Sequence, residues 1–441
     1  MLKTVIRRVV NTTAARHLPC LQLTSLSSRQ VGNRPSDGVA TSTVQRQMSE
    51  KAADIKIPPF QYFWQPGSGY YADSLGKLSK PITDICEDFV LSLIDSVPVP
   101  SPKGVFTIGD YGTCDGSVSL RLIHKIIDHL RNKHGPDLKI QVLYEDHPSN
   151  DYNSLFKTIY GETSYMTKFS NVFPMVCGTN FYKQCVPDHT CDVIISFMAA
   201  QILSNESHVR CSNTIFPWRS TSEEELRAYH EAAARDWQTF LLHRAAELKQ
   251  GGLLFVTLPT TNLWNNTANI SMADNVSLTL EYLKDVWTNF DLAWNELHVD
   301  GIITTEEFQS CTVPIAPRSL QELTAPFEDG AMSPVRQAGL NLLKGPEDFC
   351  TPCVVKTSWR EKLQTDGVDD RRLFALLFVK AMRLAIDPTL RNTLKKTRTA
   401  EEESCISEKF YECFVKHVVS SDPETFQSEP YLRRLGIQKL K

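Results

Sequence analysis

Short unbroken apolar runs alternate along this chain with longer stretches whose apolar residues recur every third or fourth position. The first pattern predicts buried strands and the second amphipathic helices. Strands are expected over 105–108, 139–144, 192–197 and 253–258. Helices are expected over 81–97, 117–132, 154–160 and 223–250, the last stopped by Gly251-Gly252. Strand followed by helix, with near-continuous apolar strands, predicts an α/β fold built on a parallel sheet covered on both faces. Beyond residue 278 the pattern is mostly helical, with amphipathic stretches at 278–299, 370–385 and 409–419. The Pro-rich stretch 312–327 reads as a crossing loop.

The stretch 105–120, VFTIGDYGTCDGSVSL, concentrates the chemistry. A strand, a turn carrying Asp110, Gly112 and Gly116, and a helix start make half of a nucleotide-type site. The helix start offers free N–H groups, and glycine lets a ligand approach the main chain. The spacing is not the G-x-G-x-x-G that a dinucleotide pyrophosphate requires. An anionic side chain at the turn repels a pyrophosphate and suits a cationic ligand such as S-adenosylmethionine. Asp146 follows the second strand, where such folds hold ribose hydroxyls. The segment 60–80 is rich in aromatic residues and glycine, as a lid over a ligand would be.

Composition narrows the class. A chain of 441 residues with 41% apolar and 22% charged residues has ample length for a core, and a net charge of −4 gives no basic face for nucleic acid. No apolar run reaches the length of a membrane span. The twelve cysteines lack disulfide-framework spacing, and Cys350-Thr-Pro-Cys353 has no second pair to complete a metal site. Residues 1–36 carry six basic residues and no acid. Leu2, Val5, Ile6, Val9 and Val10 can share one helical face. That is a transit-peptide pattern, so residues 1–50 are expected to be a disordered or mitochondrial targeting segment.

Several blocks, in order, resemble the plant SABATH methyltransferases, which methylate the carboxyls of small acids such as salicylate, benzoate and jasmonate, or caffeine-pathway nitrogens. DHPSNDYNSLFK (146–157) resembles their NDLPxNDFNxLF. Residues 69–74 resemble S-Y-A-x-N-S, and 108–116 their A-D-L-G-C-S-S-G turn. Ala228-Tyr229, Asp236, Phe240-Leu241, Arg244, Glu247 and Gly251-Gly252 follow their long helix. Residues 295–303 resemble N-D-M-V-x-E-G-L-I, and 383–390 resemble R-A-V-x-E-P-L-L.

The resemblance implies a Rossmann-like class I methyltransferase sheet with helices on both faces and a mostly helical cap. It divides the methyltransferase domain, 57–441, into a lid and cofactor-binding core over 57–265 and a substrate cap, with remaining core elements, over 266–441. It implies S-adenosyl-L-methionine as cofactor, a small-molecule substrate and a homodimer. Carried over by position, Tyr70 and Ser74 close on the cofactor, Asp110 and Gly112 lie beside its methionine part, and Asp146 takes the ribose with His147 by the adenine. Asn180 and Phe181 match a Ser-Phe pair, and Ser196 matches a serine after the next strand.

The substrate half departs from the family. The tethering glutamine and tryptophan of the carboxyl methyltransferases are replaced by Lys77 and Ile202, and the residue before the latter is Gln201. Asp73 and Val118 replace asparagines, while Trp287 falls on a substrate-wall tryptophan. Lys77 is therefore expected to hold a carboxylate by a charge-assisted bond, with Gln201 helping to position it. No catalytic acid or base and no metal is expected. Carboxyl O-methylation is the leading expectation. N-methylation of a heterocycle and a non-catalytic cofactor-binding role are the alternatives.

Overall fold

The computed structural model describes residues 67–100, 104–204, 207–261, 281–328 and 332–440. The expected disordered or targeting segment 1–50 and the start of the segment 60–80 expected as a lid lie outside them. Among the described residues seven strands form one sheet: β1 (Val105–Tyr111), β2 (Lys139–Asp146), β3 (Val172–Gly178), β4 (Cys191–Phe197), β5 (Leu248–Pro259), β6 (Leu340–Cys350) and β7 (Tyr431–Lys439), in the order β3-β2-β1-β4-β5-β7-β6. The first five are parallel; β7 is antiparallel to both its neighbours. Strand order reverses at β1, which pairs with β2 on one side and β4 on the other. A crevice therefore opens beyond the carboxyl ends of β1 and β4, where open α/β sheets bind ligands.

The strand period of two sorts the core into two layers. Phe106, Ile108, Val142, Val193, Ile195 and Phe255 meet the helices Leu75–Ile94 and Leu120–His134 on one face. Leu143, Ile194, Leu254 and Val256 meet Trp237, Phe240 and Leu241 of the helix Glu223–Glu247 on the other. A third cluster is helical. Trp287, Phe290 and Trp294 of Lys284–Val299 pack with Phe378 and Met382 of Arg371–Leu394, and with Phe410 and Phe414 of Ala400–Val419. Among the described residues no helix is long and apolar enough to cross a membrane, and no group of acidic, histidine or cysteine side chains is placed to hold a metal.

Several expected elements need correction. The strand at 192–197 is the fourth, because β3 precedes it; Pro174 obscures β3 and is tolerated there because β3 lies at the sheet edge. The sheet is mixed, since β6 and β7 come from the region read as helical. The helix expected from 81 begins at Leu75 and runs through Pro81. Part of the expected crossing loop is the helix Leu320–Glu328, capped by Ser319, whose hydroxyl accepts from Glu322 N while Glu322 accepts from Ser319 N.

Candidate active site

The turn after β1 is fastened from both sides. Gly112 N and Thr113 N donate to the Glu145 carbonyl at 2.9 and 3.1 Å. Cys114, at a left-handed φ of 52°, donates its N–H to Asp146 Oδ2 at 2.6 Å. Gly112 itself has φ +76°, and a Cβ there would lie 2.2 Å from Ala199 Cβ. The turn needs glycine for its conformation and for its approach to the loop after β4. Asp110 lies beneath this turn. It is buried, and Oδ2 accepts from Thr113 Oγ1 at 2.7 Å and Ser119 Oγ at 2.5 Å. Burial pushes its carboxyl up to about 6, and the two hydroxyls oppose that.

The segment expected as a lid is tied to the same turn. Ala72 N donates to Asp115 Oδ2 at 3.0 Å, while Asp115 Oδ1 accepts from Ser117 N and Oγ. Gly67 N donates to both oxygens of Asp151 at 2.9 Å, and Gly69 N to Ser154 Oγ at 3.1 Å. Tyr70 reaches the helical layer, donating its hydroxyl to the Lys380 carbonyl at 2.6 Å.

These elements enclose a cavity of about 760 Å³. Its wall includes Asp115, Asp146 and Asp151 beside the turn. Leu75, Ile202, Tyr282, Trp287, Ile315 and Met382 supply apolar surface, and no lysine or arginine is among its described lining residues. Asp146 Oδ2 accepts from Cys114 N and Oδ1 from His147 N at 2.7 Å. Each oxygen keeps a second lone pair, which is what a ribose diol requires. Burial raises the Asp146 carboxyl, while the two backbone donors pull it down. A glycine cradle, a carboxylate with spare acceptors and an acidic surround without competing cations fit S-adenosylmethionine, which carries a positive sulfur.

A family profile described as SAM-dependent carboxyl methyltransferase matches residues 69–336. The chain belongs to this family. It is 25% identical over 326 residues to gibberellic acid methyltransferase 2 of Arabidopsis thaliana, covering 71% of this chain and 78% of that one. It is 27% identical over 252 residues to indole-3-acetate O-methyltransferase 1 of Oryza sativa subsp. japonica, covering 50% and 59%. The solved structure of loganic acid methyltransferase with SAH shares the fold, with a TM-score of 0.61, 16% identity and coverage of 85% and 97%.

Within this methyltransferase the cavity gathers Tyr70, Gly112, Asp146, His147, Asn180, Phe181, Gln201, Ile202 and Trp287. His147 is exposed, with Nδ1 2.7 Å from Ser149 Oγ. Asn180 Oδ1 accepts from Tyr182 N, and Phe181 packs edge-on to Phe240. The Phe181 carbonyl is held by Arg244, whose guanidinium pairs with Glu247 in the interior at 2.8 Å. Four expected residues stand off the wall. Asp110 braces the turn from below. Ser74 is buried, donating to the Tyr70 carbonyl. Ser196 is fully buried, and its hydroxyl has no partner among the described residues. Lys77 corrects the largest expectation. Its side chain is 64% exposed and pairs with Asp73, four residues back, at 3.2 Å, so Lys77 does not reach the cavity as a charged tether.

The sequence reading missed Asp115 and Asp151 as anchors of the lid. Their signal was present: an acid two residues before Ser117 and another three before Ser154, each positioned to cap a following turn. Tyr282 was missed because an isolated aromatic carries no spacing signal.

Proposed function

We propose that this methyltransferase esterifies a bulky, largely apolar organic acid. The observation that carries this reading is the composition of the cavity wall: among its described residues it is acidic beside the glycine turn, otherwise mainly apolar, and free of lysine and arginine. Relatives named for gibberellic, indole-3-acetic and farnesoic acids support it. Asp146 would hold the ribose, Gly112 would admit the cofactor to the main chain, and Phe181 would pack at its edge. Bound there, the cofactor supplies a methyl group on a positively charged sulfur.

A carboxylate is already ionised at neutral pH, so the chain needs no general base. Its residues act by orientation and by excluding water. Ile202, Ile315 and Met382 supply a dry wall, and Trp287 an aromatic one. The lid fixes the cofactor side through Asp115 and Asp151. We extend the proposal to a homodimer, checked by sedimentation, and to mitochondrial import through residues 1–36, checked with a reporter fused to that segment.

Purified full chain offered S-adenosylmethionine and gibberellic, indole-3-acetic, farnesoic and loganic acids tests the reading. The expected product is a methyl ester, heavier than the acid by one CH2, that base hydrolyses back to the acid and methanol. A base-stable product, or none from protein that binds cofactor, would contradict it.

A further inference from the structure

The Glu145 carbonyl holds the glycine turn, but its side chain takes no part in the site described above. That side chain is fully buried, and neither carboxyl oxygen accepts a hydrogen bond from an N–H or O–H of the described residues. Buried polar groups are nearly always paired, so an unpaired carboxyl calls for an explanation. Strand register sets Glu145 between Tyr111 of β1 and Cys177 of β3. On that face Tyr111 meets the helix Glu223–Glu247. Its hydroxyl donates to Glu247 Oε2 at 2.8 Å, and its ring lies 4.5 Å from Arg244 Cζ.

Arg244 is already committed. Nε and Nη2 donate to Glu247 at 2.8 Å, Nη1 to the Phe181 carbonyl at 2.7 Å and Nη2 to the Lys183 carbonyl at 3.1 Å. Glu247 also accepts from Cys185 N at 2.5 Å. The pair thus pins the loop after β3 at Phe181, Lys183 and Cys185, and that loop contributes Asn180 and Phe181 to the cavity wall. One guanidinium balances one carboxylate. A second ionised carboxylate in this sealed cluster would compete for it. Resting on the placement of the cofactor against Phe181 proposed above, we infer that Glu145 is a positioning residue that serves uncharged: its proton leaves Arg244 to the loop, and its ionisation draws Arg244 off the Phe181 and Lys183 carbonyls and loosens the cofactor's edge.

The surroundings fit this role. Burial raises the Glu145 carboxyl to about 8; Arg244 and the weak Cys185 thiol donor oppose that, and the neighbouring Asp146 adds to it. The charged pair facing it is Arg244 with Glu247. Tyr111, Tyr152, Cys177, Cys185 and Cys191 around the cluster are all pushed up by burial, so these phenols and thiols stay neutral near pH 8. Burial lowers His243, which is neutral there too. In the family block quoted above, the residue before the aspartate is asparagine, which never carries charge.

The test measures S-adenosylhomocysteine affinity by calorimetry in full-length wild type and Glu145→Gln, with Glu145→Asn as a second neutral variant. At about pH 7 wild type and Glu145→Gln should agree within about twofold, and by about pH 9 wild type should be about tenfold weaker than the variant. Comparing the proteins at each pH cancels titration of the ligand itself. Melting temperature separates this from burial alone. A buried acid favours its protonated fold, so wild type should lose ground to the variants between about pH 4 and about pH 8 and no further above that. Burial alone gives that trend and leaves the affinities parallel. Parallel affinities, or wild-type affinity unchanged between about pH 7 and about pH 9, would overturn the inference. So would folded neutral variants that both bind poorly at neutral pH. Folded wild type that binds no cofactor at any pH would instead overturn the cofactor placement, and this inference with it.

Discussion

The side chain of Asp146 and the main chain of Cys114 meet at 2.6 Å, joining the end of β2 to the turn after β1. One carboxylate thus shapes the turn and faces the cavity. Replacing it with alanine removes the acceptor of Cys114 N–H and the proposed ribose site together. Asp146→Ala should weaken S-adenosylhomocysteine binding at least tenfold, from the roughly 1.5–3 kcal/mol of each hydrogen bond to a charged group. It should also lower the melting temperature. Calorimetry and thermal unfolding check both; unchanged affinity would remove Asp146 from the cofactor site.

Gly112→Ala should be worse than an ordinary turn substitution. The new methyl would sit 2.2 Å from Ala199 Cβ, at φ +76°. The conformation costs about 1–2 kcal/mol and the overlap about 1–3 kcal/mol more. Adding Ala199→Gly relieves the overlap and leaves the backbone cost. The double variant should therefore recover part of the lost melting temperature, and no recovery would show that the contact is not the limiting one.

Asp110 gives stability a pH dependence of defined sign. Burial raises its carboxyl to about 6, against about 3.9 in an unfolded chain. The fold therefore favours the protonated form. Its contribution is complete below about pH 4 and is lost as pH rises through about 6, a span on the order of 2–3 kcal/mol. Asp110→Asn keeps an oxygen for the Thr113 and Ser119 hydroxyls and does not titrate. In ligand-free protein the melting temperature of the variant should gain on wild type between about pH 4 and about pH 7. A constant difference would contradict this.

Lys77 should prove dispensable. Its pair with Asp73 joins two side chains that are 64% and 65% exposed, and such pairs contribute about 0–1 kcal/mol. Lys77→Gln should leave kcat/KM for any accepted acid within about twofold. A loss of tenfold or more in steady-state assays would restore the charged tether.

The cofactor half was legible in sequence because its chemistry is local. Asp110, Gly112 and Asp146 sit at strand ends whose apolar runs mark them, and the lid residue Tyr70 lies in a recognisable block. The substrate half was legible only in part. Gln201, Ile202 and Trp287 could be placed on the wall by resemblance. The partner of Gln201 Nε2 is a main-chain carbonyl set by the turn at Met198, which no spacing reveals. Lys77 misled because substitution at a tethering position was read as replacement of the tether, while the helix starting at Leu75 turns it outward. The strands β6 and β7 escaped for a related reason. Leu340–Cys350 interleaves polar residues with irregular register, and its pairing depends on Tyr431–Lys439, far along the chain.

Methyl transfer from S-[methyl-14C]adenosylmethionine to a carboxylic acid, followed by mild base, tests the central claim most directly. Full-length protein should place label in an organic-soluble product that base converts to volatile methanol, and Asp146→Ala should form little of it. Label that survives base would contradict transfer to a carboxylate, and wild-type protein that is folded yet binds no cofactor would contradict the site itself.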